Sequence, residues 1–181
     1  NRWLWDEINH TNGFLKLYCL FYNSNPSDIQ NTLSSRTPSF SLLSPYFKDE
    51  FKLALLMAYD ELATTYSYHG DLEFYGTLLH PLFMDWIIQV KNDEARHFAN
   101  LLKIIKVHHR HRVPEATKIL REILELDMSS NDYMATFVLD HKGPPFTRPF
   151  LENCVQIILR KLEAFSSPKS EISKLNQQEL K

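Results

Sequence analysis

The sequence predicts an all-α protein, built as a bundle of long antiparallel helices. Only four glycines occur in 181 residues, too few for an all-β chain rich in tight turns. Hydrophobic residues make up 44% of the chain, which is enough for one domain with a substantial buried core. Apolar residues recur at three- and four-residue spacing in three long segments, as they do on the inner faces of packed helices. Together these features favour helices that pack lengthwise around a shared core.

Turn and capping residues set the expected element boundaries. A connection rich in Ser, Pro and Asn covers 24–46, with a short helix expected near 28–34. Gly70 predicts the end of the second long helix, and Pro81 is acceptable in the first turn of the third. We assign 1–165 to one helical domain and the polar segment 166–181 to a tail. The expected long helices are 1–23, 47–69 and 80–109, followed by a shorter helix at 114–127 and a last helix at 148–165.

Composition excludes several classes of function. The net charge of −2 with mixed signs argues against a general nucleic-acid surface. The two cysteines, Cys19 and Cys154, are far apart, which fits a reducing compartment better than a disulfide scaffold. No apolar run approaches the roughly 20 residues that a membrane span requires, and no signal peptide is evident. We therefore expect a cytoplasmic protein without a nucleic-acid partner or a membrane span.

Two Glu-x-x-His motifs are the strongest chemical signal in the chain. They are Glu7-Ile8-Asn9-His10 and Glu94-Ala95-Arg96-His97. Residues three apart lie on one face of a helix, so each motif can offer a carboxylate and an imidazole to one metal ion. Chance alone gives roughly half a match in a chain of this composition. Both motifs, however, follow an Asp and lie on the apolar stripe of a long helix, which makes coincidence a weaker explanation.

A third acid, Glu61, lies on the apolar stripe of the second long helix. A carboxylate that points into such a stripe requires a partner, because an unpaired buried charge is very costly. A metal ion would satisfy three such acids and two imidazoles at once, and this donor set suits iron or manganese better than zinc or copper. The alternative is that the stripes are misphased by a residue or two and that Glu7 and Glu94 face solvent.

These motifs resemble the ferritin-like di-iron carboxylate proteins, and among them most closely the soluble acyl-acyl-carrier-protein (acyl-ACP) desaturases. The similarity covers roughly 3–105. It rests on WLWDEINH (3–10), DELATTYSYHG (60–70) and NDEARHFANLLKII (92–105). The paired motifs are specific for the di-iron class, whereas the Glu61-x-x-Thr64 step and the intervals are only moderately specific for desaturases.

The resemblance implies a ferritin-like bundle that holds two iron ions, with manganese possible. Glu7 and Glu94 would bridge or chelate the ions, Glu61 would be a terminal ligand, and His10 and His97 would each bind one ion. Thr64 resembles the hydroxyl that assists oxygen activation, although a helix-interior Thr can also simply bond its own backbone.

The same resemblance implies O₂ as co-substrate and an external electron donor such as ferredoxin. The substrate would be an acyl group on acyl-carrier protein, or a small molecule, and the protein would be a homodimer in the cytoplasm, or in the plastid stroma of a plant. For an acyl chain we predict a tunnel lined by Phe14, Met57, Tyr68 and Ile87, with the carrier protein meeting positive side chains at the surface. The candidates for that contact are Lys103, Lys106 and Arg110.

One feature departs from the family pattern. The family takes a further terminal carboxylate from a helix that precedes the first Glu-x-x-His helix, and only six residues precede Glu7 here. We expect that the bundle lacks its first helix because the chain is truncated at its start. The alternatives are that a later acid such as Glu152 substitutes, or that the site is degenerate.

Two aspartates are expected to support the histidine ligands from outside the metal site. Asp6 and Asp93 can each accept the outer imidazole N–H of the histidine on the opposite helix and so fix its tautomer. The alternative is that both aspartates are simply solvated charges.

Three rival functions remain open. They are another ferritin-like oxygenase acting on a small acid or amine, an iron-handling protein of the ferritin or rubrerythrin type, and a catalytically inactive helical bundle with a structural role.

Overall fold

The computed structural model describes residues 2–76, 81–131, 133–134, 139–141 and 143–166. Helices are the only regular secondary structure in these parts of the chain, which confirms the all-α prediction at that level. No helix within them is long and apolar enough to cross a membrane. A 3₁₀ helix, Arg110–Glu115, precedes α6. The α-helices are α1 Arg2–Tyr22, α2 Pro26–Ser34, α3 Ser44–Phe47, α4 Glu50–Gly76, α5 Pro81–His108, α6 Ala116–Ser129 and α7 Arg148–Ser166.

The antiparallel pair α4 and α5 forms the centre of the fold. The start of α4 lies beside the end of α5, where Glu50 contacts His109 at 2.7 Å. Further along, Glu61 lies beside His97. Helix α1 packs along the first half of α5, α3 packs against α4, and α6 and α7 pack against α4 and each other. Three helices, α1, α4 and α5, therefore enclose the part of the bundle where the Glu-x-x-His motifs lie.

Local hydrogen bonds determine where α1 stops and α2 starts. Asn23 has a φ of +49°, and the N–H of Ser24 reaches back to the carbonyl of Cys19 at 3.0 Å. This is the Schellman arrangement, in which a left-handed residue ends a helix and its last carbonyls remain paired. Asn25 then caps α2 by accepting the Ser27 N–H, and Pro26 occupies the first turn, where its missing donor costs nothing.

Asp49 connects the start of α4 to the segment that follows α5. Its Oδ1 accepts the backbone N–H groups of Phe51 and Lys52, which would otherwise be unpaired at a helix start. Both of its oxygens also accept hydrogen bonds from the Arg112 guanidinium, at 2.7 and 2.9 Å. Two-point hydrogen bonding of this kind restricts geometry more than a single ion pair does, so it holds the α5–α6 turn against α4.

The main hydrophobic core lies between α3, α4, α6, α7 and the second half of α5. Many of its side chains are completely buried, including Phe51, Leu120, Ile123 and Ile158. One buried polar pair crosses it: the Tyr59 hydroxyl donates to Asp127 Oδ2 at 2.6 Å. A second, much smaller apolar cluster, with Tyr68, Ile87 and Val90 at its centre, lies beneath α1.

The prediction that Gly70 ends the second long helix is wrong. Helix α4 continues to Gly76, and Gly70 is exposed within it. A glycine inside a helix costs only about 1 kcal/mol relative to alanine. Continued packing of α4 against α5 outweighs that cost. Residues 71–76 therefore belong to α4, whereas 77–80 and the tail from 167 onward lie outside the described residues.

Candidate metal centre

Four of the five predicted ligands converge on one point between α1, α4 and α5. Glu7, Glu61, Glu94 and His97 each contribute one donor atom, and these atoms lie within 4.8 Å of one another. Bonds of about 2.0–2.2 Å from one ion to its ligands separate two donors by at most about 4.4 Å. The group therefore needs only a small contraction to enclose an ion. Glu61, Glu94 and His97 are buried, and Glu7 is the most exposed of the four.

The Nδ1 atom of His97 lies at the centre of this group. Oxygens of Glu94, Glu7 and Glu61 lie 3.1, 3.3 and 3.4 Å from it. A ring nitrogen carries at most one proton, so it can donate a hydrogen bond to only one of these three carboxylates. Three different helices each place a carboxylate oxygen next to this one nitrogen. Ordinary hydrogen bonding would require only one of them.

His10 lies beside this group and marks a second position. Its Nδ1 atom is 3.5 Å from Glu94 Oε1 and 3.8 Å from Glu7 Oε2, and its ring centre is 6.2 Å from that of His97. The carboxylates of Glu7 and Glu94 thus lie between the two imidazoles. This arrangement is what two neighbouring ions sharing bridging carboxylates would need.

Asp6 and Asp93 contact the outer nitrogens of the two histidines in a crossed pattern. Asp6 on α1 lies 3.1 Å from Nε2 of His97 on α5, and Asp93 on α5 lies 3.3 Å from Nε2 of His10 on α1. The predicted crossed contacts are confirmed. With Nε2–H donating to an aspartate, Nδ1 of each ring is left directed at the carboxylate cluster, the orientation that a ligating histidine requires.

Arg96 joins the two aspartates, a feature that the sequence analysis missed. Its Nη2 atom lies 2.8 Å from Asp6 and 2.6 Å from Asp93. The guanidinium therefore crosslinks α1 to α5 behind the histidines. From sequence alone, Asp93 and Arg96 look like a surface ion pair three residues apart. The one sequence feature that could have indicated the link to Asp6 is a positively charged residue inside the second Glu-x-x-His motif.

Two buried atoms in the cluster lack hydrogen-bond partners among the described residues. They are Oε1 of Glu7 and Nδ1 of His10. Glu7 Oε1 is close to His97 Nδ1, at 3.3 Å, but the two atoms are not aligned for a hydrogen bond. Buried polar atoms are almost always paired in native proteins. Both orphaned atoms belong to predicted metal ligands and both are donors suited to iron or manganese, so the residues present fit a metal pair.

In the cluster, the charges of the carboxylates and the imidazoles stabilise one another. Burial disfavours the charged imidazoles, but their interactions with the surrounding carboxylates outweigh it and raise the pKa of His10 to about 10 and of His97 to about 12. Burial and the neighbouring Glu94 raise the pKa of Glu61. Burial would also raise the pKa of Glu94, but the interactions of its carboxylate with both histidines outweigh burial and lower that pKa. Without metal, the cluster thus retains protons at positions where an ion would supply positive charge.

Two tryptophans connect the cluster to its surroundings. Trp3 donates its indole N–H to Glu61 Oε1 at 2.9 Å and is 37% exposed. Trp86 on α5 lies edge-on to His10 and directly over Gly13 on α1, where an added Cβ would lie 2.0 Å from the ring. Gly13 therefore permits the close approach of α1 to α5 beside the cluster.

A partly enclosed cavity of about 590 Å³ opens onto the cluster. At one end it reaches Glu7, Glu61 and Glu94, and the buried Thr64, the predicted catalytic residue, lies on its wall. The neighbouring Thr65, not Thr64, is the one that bonds the helix backbone, through the carbonyl of Glu61. Apolar side chains form most of the remaining wall, including Phe40, Leu43, Phe47, Leu56, Met57 and Met134.

The predicted tunnel lining is wrong, and Glu152 is excluded as the alternative fourth carboxylate. Of the proposed tunnel residues, only Met57 lines the cavity; Phe14 stacks on Tyr68 instead, and Ile87 is buried in the same small cluster. Helical spacing identifies an inward residue but cannot tell packed space from empty space. Glu152 does not supply a further ligand, because it is exposed on α7 and lies 3.7 Å from Arg148.

Comparison of the chain with protein-family models, curated proteins and solved structures found no match. The ferritin-like fold and the di-iron resemblance accordingly stay predictions, supported by the residues themselves. The structure establishes a coarser result: a helical bundle in which three acids and two histidines, from three helices, meet beside a cavity.

Proposed function

We propose that this protein is an O₂-dependent di-iron oxidoreductase that oxidises an unactivated C–H bond of an acyl-type substrate. The observation that carries the proposal is the cluster itself, in which Glu7, Glu61 and Glu94 surround the inner nitrogens of His10 and His97. This donor set, three carboxylates and two imidazoles, suits a pair of iron or manganese ions. When bound, such a metal pair supplies the redox chemistry that activates O₂.

The residues around the cluster would orient and protect that chemistry. Asp6 and Asp93 hold the histidine rings by their outer nitrogens, and Trp3 holds one oxygen of Glu61. Ligands fixed in this way need little rearrangement when metal enters. Thr64 offers a hydroxyl on the cavity wall within one helical turn of Glu61, where it can donate a proton or a hydrogen bond to a molecule in the cavity.

The cavity lining favours an apolar substrate. Its described lining includes Leu, Met and Phe side chains and no Lys, Arg or His. An acyl chain has no polar group near the reacting carbon, so its orientation must come from the shape of the cavity. A small carboxylic acid entering the cavity would instead meet three glutamates without a basic side chain to pair with it. An oxygenase that acts on a small carboxylic acid is therefore the less favoured alternative.

Charged partners would contact the protein outside the cavity. Lys103 and Lys106 near the end of α5, and Arg110 at the start of the 3₁₀ helix, are exposed, so the acidic face of an acyl-carrier protein could contact this positively charged surface. A reductant protein, such as a ferredoxin, must deliver electrons from outside. We also propose, from the resemblance, that the protein acts as a homodimer.

A second candidate is an oxygenase that acts on an amine. The observation in its favour is Asp60, a half-buried acid that lines the cavity next to Glu61. Its carboxylate adds negative charge to the cavity wall, which favours a positively charged ammonium group over an uncharged chain. In this alternative the same metal pair would oxidise a small amine rather than an acyl chain.

Turnover by iron-loaded protein separates these candidates. Protein loaded anaerobically with Fe²⁺ would be supplied with O₂ and a ferredoxin reducing system, and offered acyl-ACP thioesters, free short acids or small amines. We expect O₂-dependent loss of two hydrogens, or gain of one oxygen, on the acyl thioester, detected by mass spectrometry. The variant Thr64→Val should retain iron and lose most turnover. Conversion of amines alone would favour the second candidate, and no conversion of any substrate by iron-loaded protein would contradict both.

A further inference from the structure

The two proposed metal positions have unequal sets of ligands. Nδ1 of His97 has three carboxylate oxygens within 3.4 Å, one each from Glu94, Glu7 and Glu61. Nδ1 of His10 lies 3.5 Å from Glu94 and 3.8 Å from Glu7, and no other carboxylate among the described residues forms an ion pair with this atom. The position beside His97 can therefore draw on three acids, whereas the position beside His10 can draw on two.

Glu61 serves the His97 position alone. It lies on α4, and Trp3 donates its indole N–H to Oε1 of Glu61 at 2.9 Å. The other oxygen, Oε2, is 3.4 Å from His97 Nδ1. Because the indole holds one oxygen, the carboxylate offers the other to a single ion. Glu7 and Glu94 differ from it, since each contacts both imidazoles and is therefore shared between the two positions.

Shared carboxylates favour the first ion over the second. The affinity of a site for a cation rises with the number of charged ligands that the site offers. The first ion takes up part of the negative charge of Glu7 and Glu94, so less of that charge remains for a neighbour. Two like charges a few ångströms apart also repel each other, and burial weakens the screening of that repulsion. The position that has an acid of its own is therefore expected to fill first.

We propose that the two ions bind in sequence, the first and tighter one beside His97 and the second and weaker one beside His10. This inference rests on the metal pair of the proposed function, and it adds that the two positions differ in affinity. The difference comes from Glu61, which is the one carboxylate of the cluster that is not shared. We expect the intrinsic dissociation constants of the two positions to differ by at least about tenfold.

The tighter position lies beside the cavity. Glu61 and Thr64 form part of the cavity wall, as does Trp3, which holds Glu61. The weaker position beside His10 would determine which fraction of the chains holds two ions at a given concentration of free metal. Metal supply would in this way regulate the proposed activity, which requires the complete pair.

Magnetic resonance of bound Mn²⁺ tests the sequence of binding. An isolated Mn²⁺ ion gives a strong electron paramagnetic resonance signal, which weakens when a second ion shares its bridging carboxylates. Metal-free protein would be titrated with Mn²⁺ under anaerobic conditions. At one ion per chain, we expect about three-quarters of the chains to carry a single ion, whereas equal and independent positions would leave about half of them so. A singly loaded fraction of half or less would overturn the proposal.

A substitution of Glu61 tests the cause of the difference. Glu61→Gln removes the charge that only the His97 position has, while its amide oxygen can still accept the hydrogen bond from Trp3. We expect the dissociation constant of the first ion to rise by at least about tenfold, and the singly loaded fraction to fall to about half. The matched control is Asp60→Asn, which removes the same charge from the neighbouring residue on the cavity wall and should leave that fraction well above half. Equal effects of the two substitutions would overturn the proposal.

Two histidine variants assign the positions, with helix content checked by circular dichroism. His10→Ala should keep the tight ion and lose the weak one, and His97→Ala should lose the tight ion. The opposite pattern would overturn the proposed order. None of these measurements uses turnover. Two ions of equal affinity would overturn this inference and leave the proposed metal pair standing, whereas a chain that binds no ion would overturn both.

Discussion

Two parts of this bundle are held together by different interactions. Between α4, α6 and α7, the contacts are apolar, and side chains such as Leu120, Ile123 and Ile158 are completely buried. Between α1 and the rest, a network of ionic and polar contacts lies beside only a small apolar cluster around Phe14. His10 is the only buried side chain of α1, and Glu7 and Asp6 make their contacts with charged groups on α5.

This difference predicts which part of the fold would depend on the proposed metal pair. Burial of apolar surface needs no ligand, so the α4–α6–α7 core should be stable in the metal-free protein. Helix α1 is attached through buried charges, whose mutual attraction is offset by the cost of removing them from water. An ion that binds the cluster would stabilise the docked arrangement of α1, by an amount that grows with the logarithm of its affinity.

The largest expected effect comes from the apolar core. Ile123→Ala should lower the free energy of unfolding by about 2–5 kcal/mol, because it removes three buried side-chain carbons with their contacts and leaves a cavity. Ile88→Ala, at a 39% exposed position of α5, is the matched control, and we expect a change of under about 1 kcal/mol. Chemical denaturation of the metal-free protein measures both. Equal effects would show that the main core does not dominate stability.

A smaller and more local effect is expected where α1 approaches α5. Gly13→Ala adds a methyl group that would overlap the Trp86 ring. Such overpacking typically lowers the free energy of unfolding by about 1–3 kcal/mol. Because α1 must move to relieve it, we expect metal affinity to fall by about ten- to a hundredfold. Gly70→Ala has nothing within 4 Å of the added atom and should stabilise α4 by up to about 1 kcal/mol. Unchanged metal affinity in Gly13→Ala would show that docking of α1 and metal binding are not linked.

The smallest effect concerns the ion pair at the start of α4. Hydrogen bonds from Arg112 hold the pKa of Asp49 at about 2, below its usual 3.8. Since the folded-state pKa is lowered, the stability that this carboxylate contributes is complete above about pH 4 and is lost as the pH falls through 2. Asp49→Asn keeps the capping oxygen and should cost about 1 kcal/mol at pH 7.

Thermal unfolding between pH 2 and pH 7 measures this loss. The deficit of Asp49→Asn relative to the unsubstituted protein should shrink toward zero as the pH approaches 2. Asp85→Asn, at an exposed position of α5, should give a small difference with no comparable trend. A deficit in Asp49→Asn that stays constant with pH would mean that the Arg112 pair contributes nothing to stability.

Much of the site could be predicted because helical spacing fixes which side chains share a face. The i and i+3 positions of each Glu-x-x-His motif, together with Glu61, were expected on the inner faces of three helices, where they lie in the structure. The crossed contacts of Asp6 and Asp93 followed from their place immediately before each Glu. These features depend on one helix at a time and on the requirement that buried charges be paired.

Features that depend on how two helices approach each other were not predictable. Gly13 in the middle of α1 was not recognised as the contact point for Trp86, because a helix-interior glycine is also simply tolerated. The cavity was expected beside Phe14 and Tyr68, yet those rings pack together and the space lies near Leu43 and Met57. Side-chain volumes across an interface decide where space remains, and a linear pattern of apolar residues does not contain that information.

Anaerobic equilibrium dialysis with Fe²⁺, and in parallel with Mn²⁺, tests the central claim most directly. The claim is that Glu7, His10, Glu61, Glu94 and His97 hold a metal pair. We expect two ions per chain, and a loss of at least one of them in both His97→Ala and Glu94→Ala, with helix content checked by circular dichroism. Glu152→Ala, at the exposed acid of α7, should retain both ions. Binding of less than one ion per chain, or equal binding by the cluster variants and Glu152→Ala, would contradict the account.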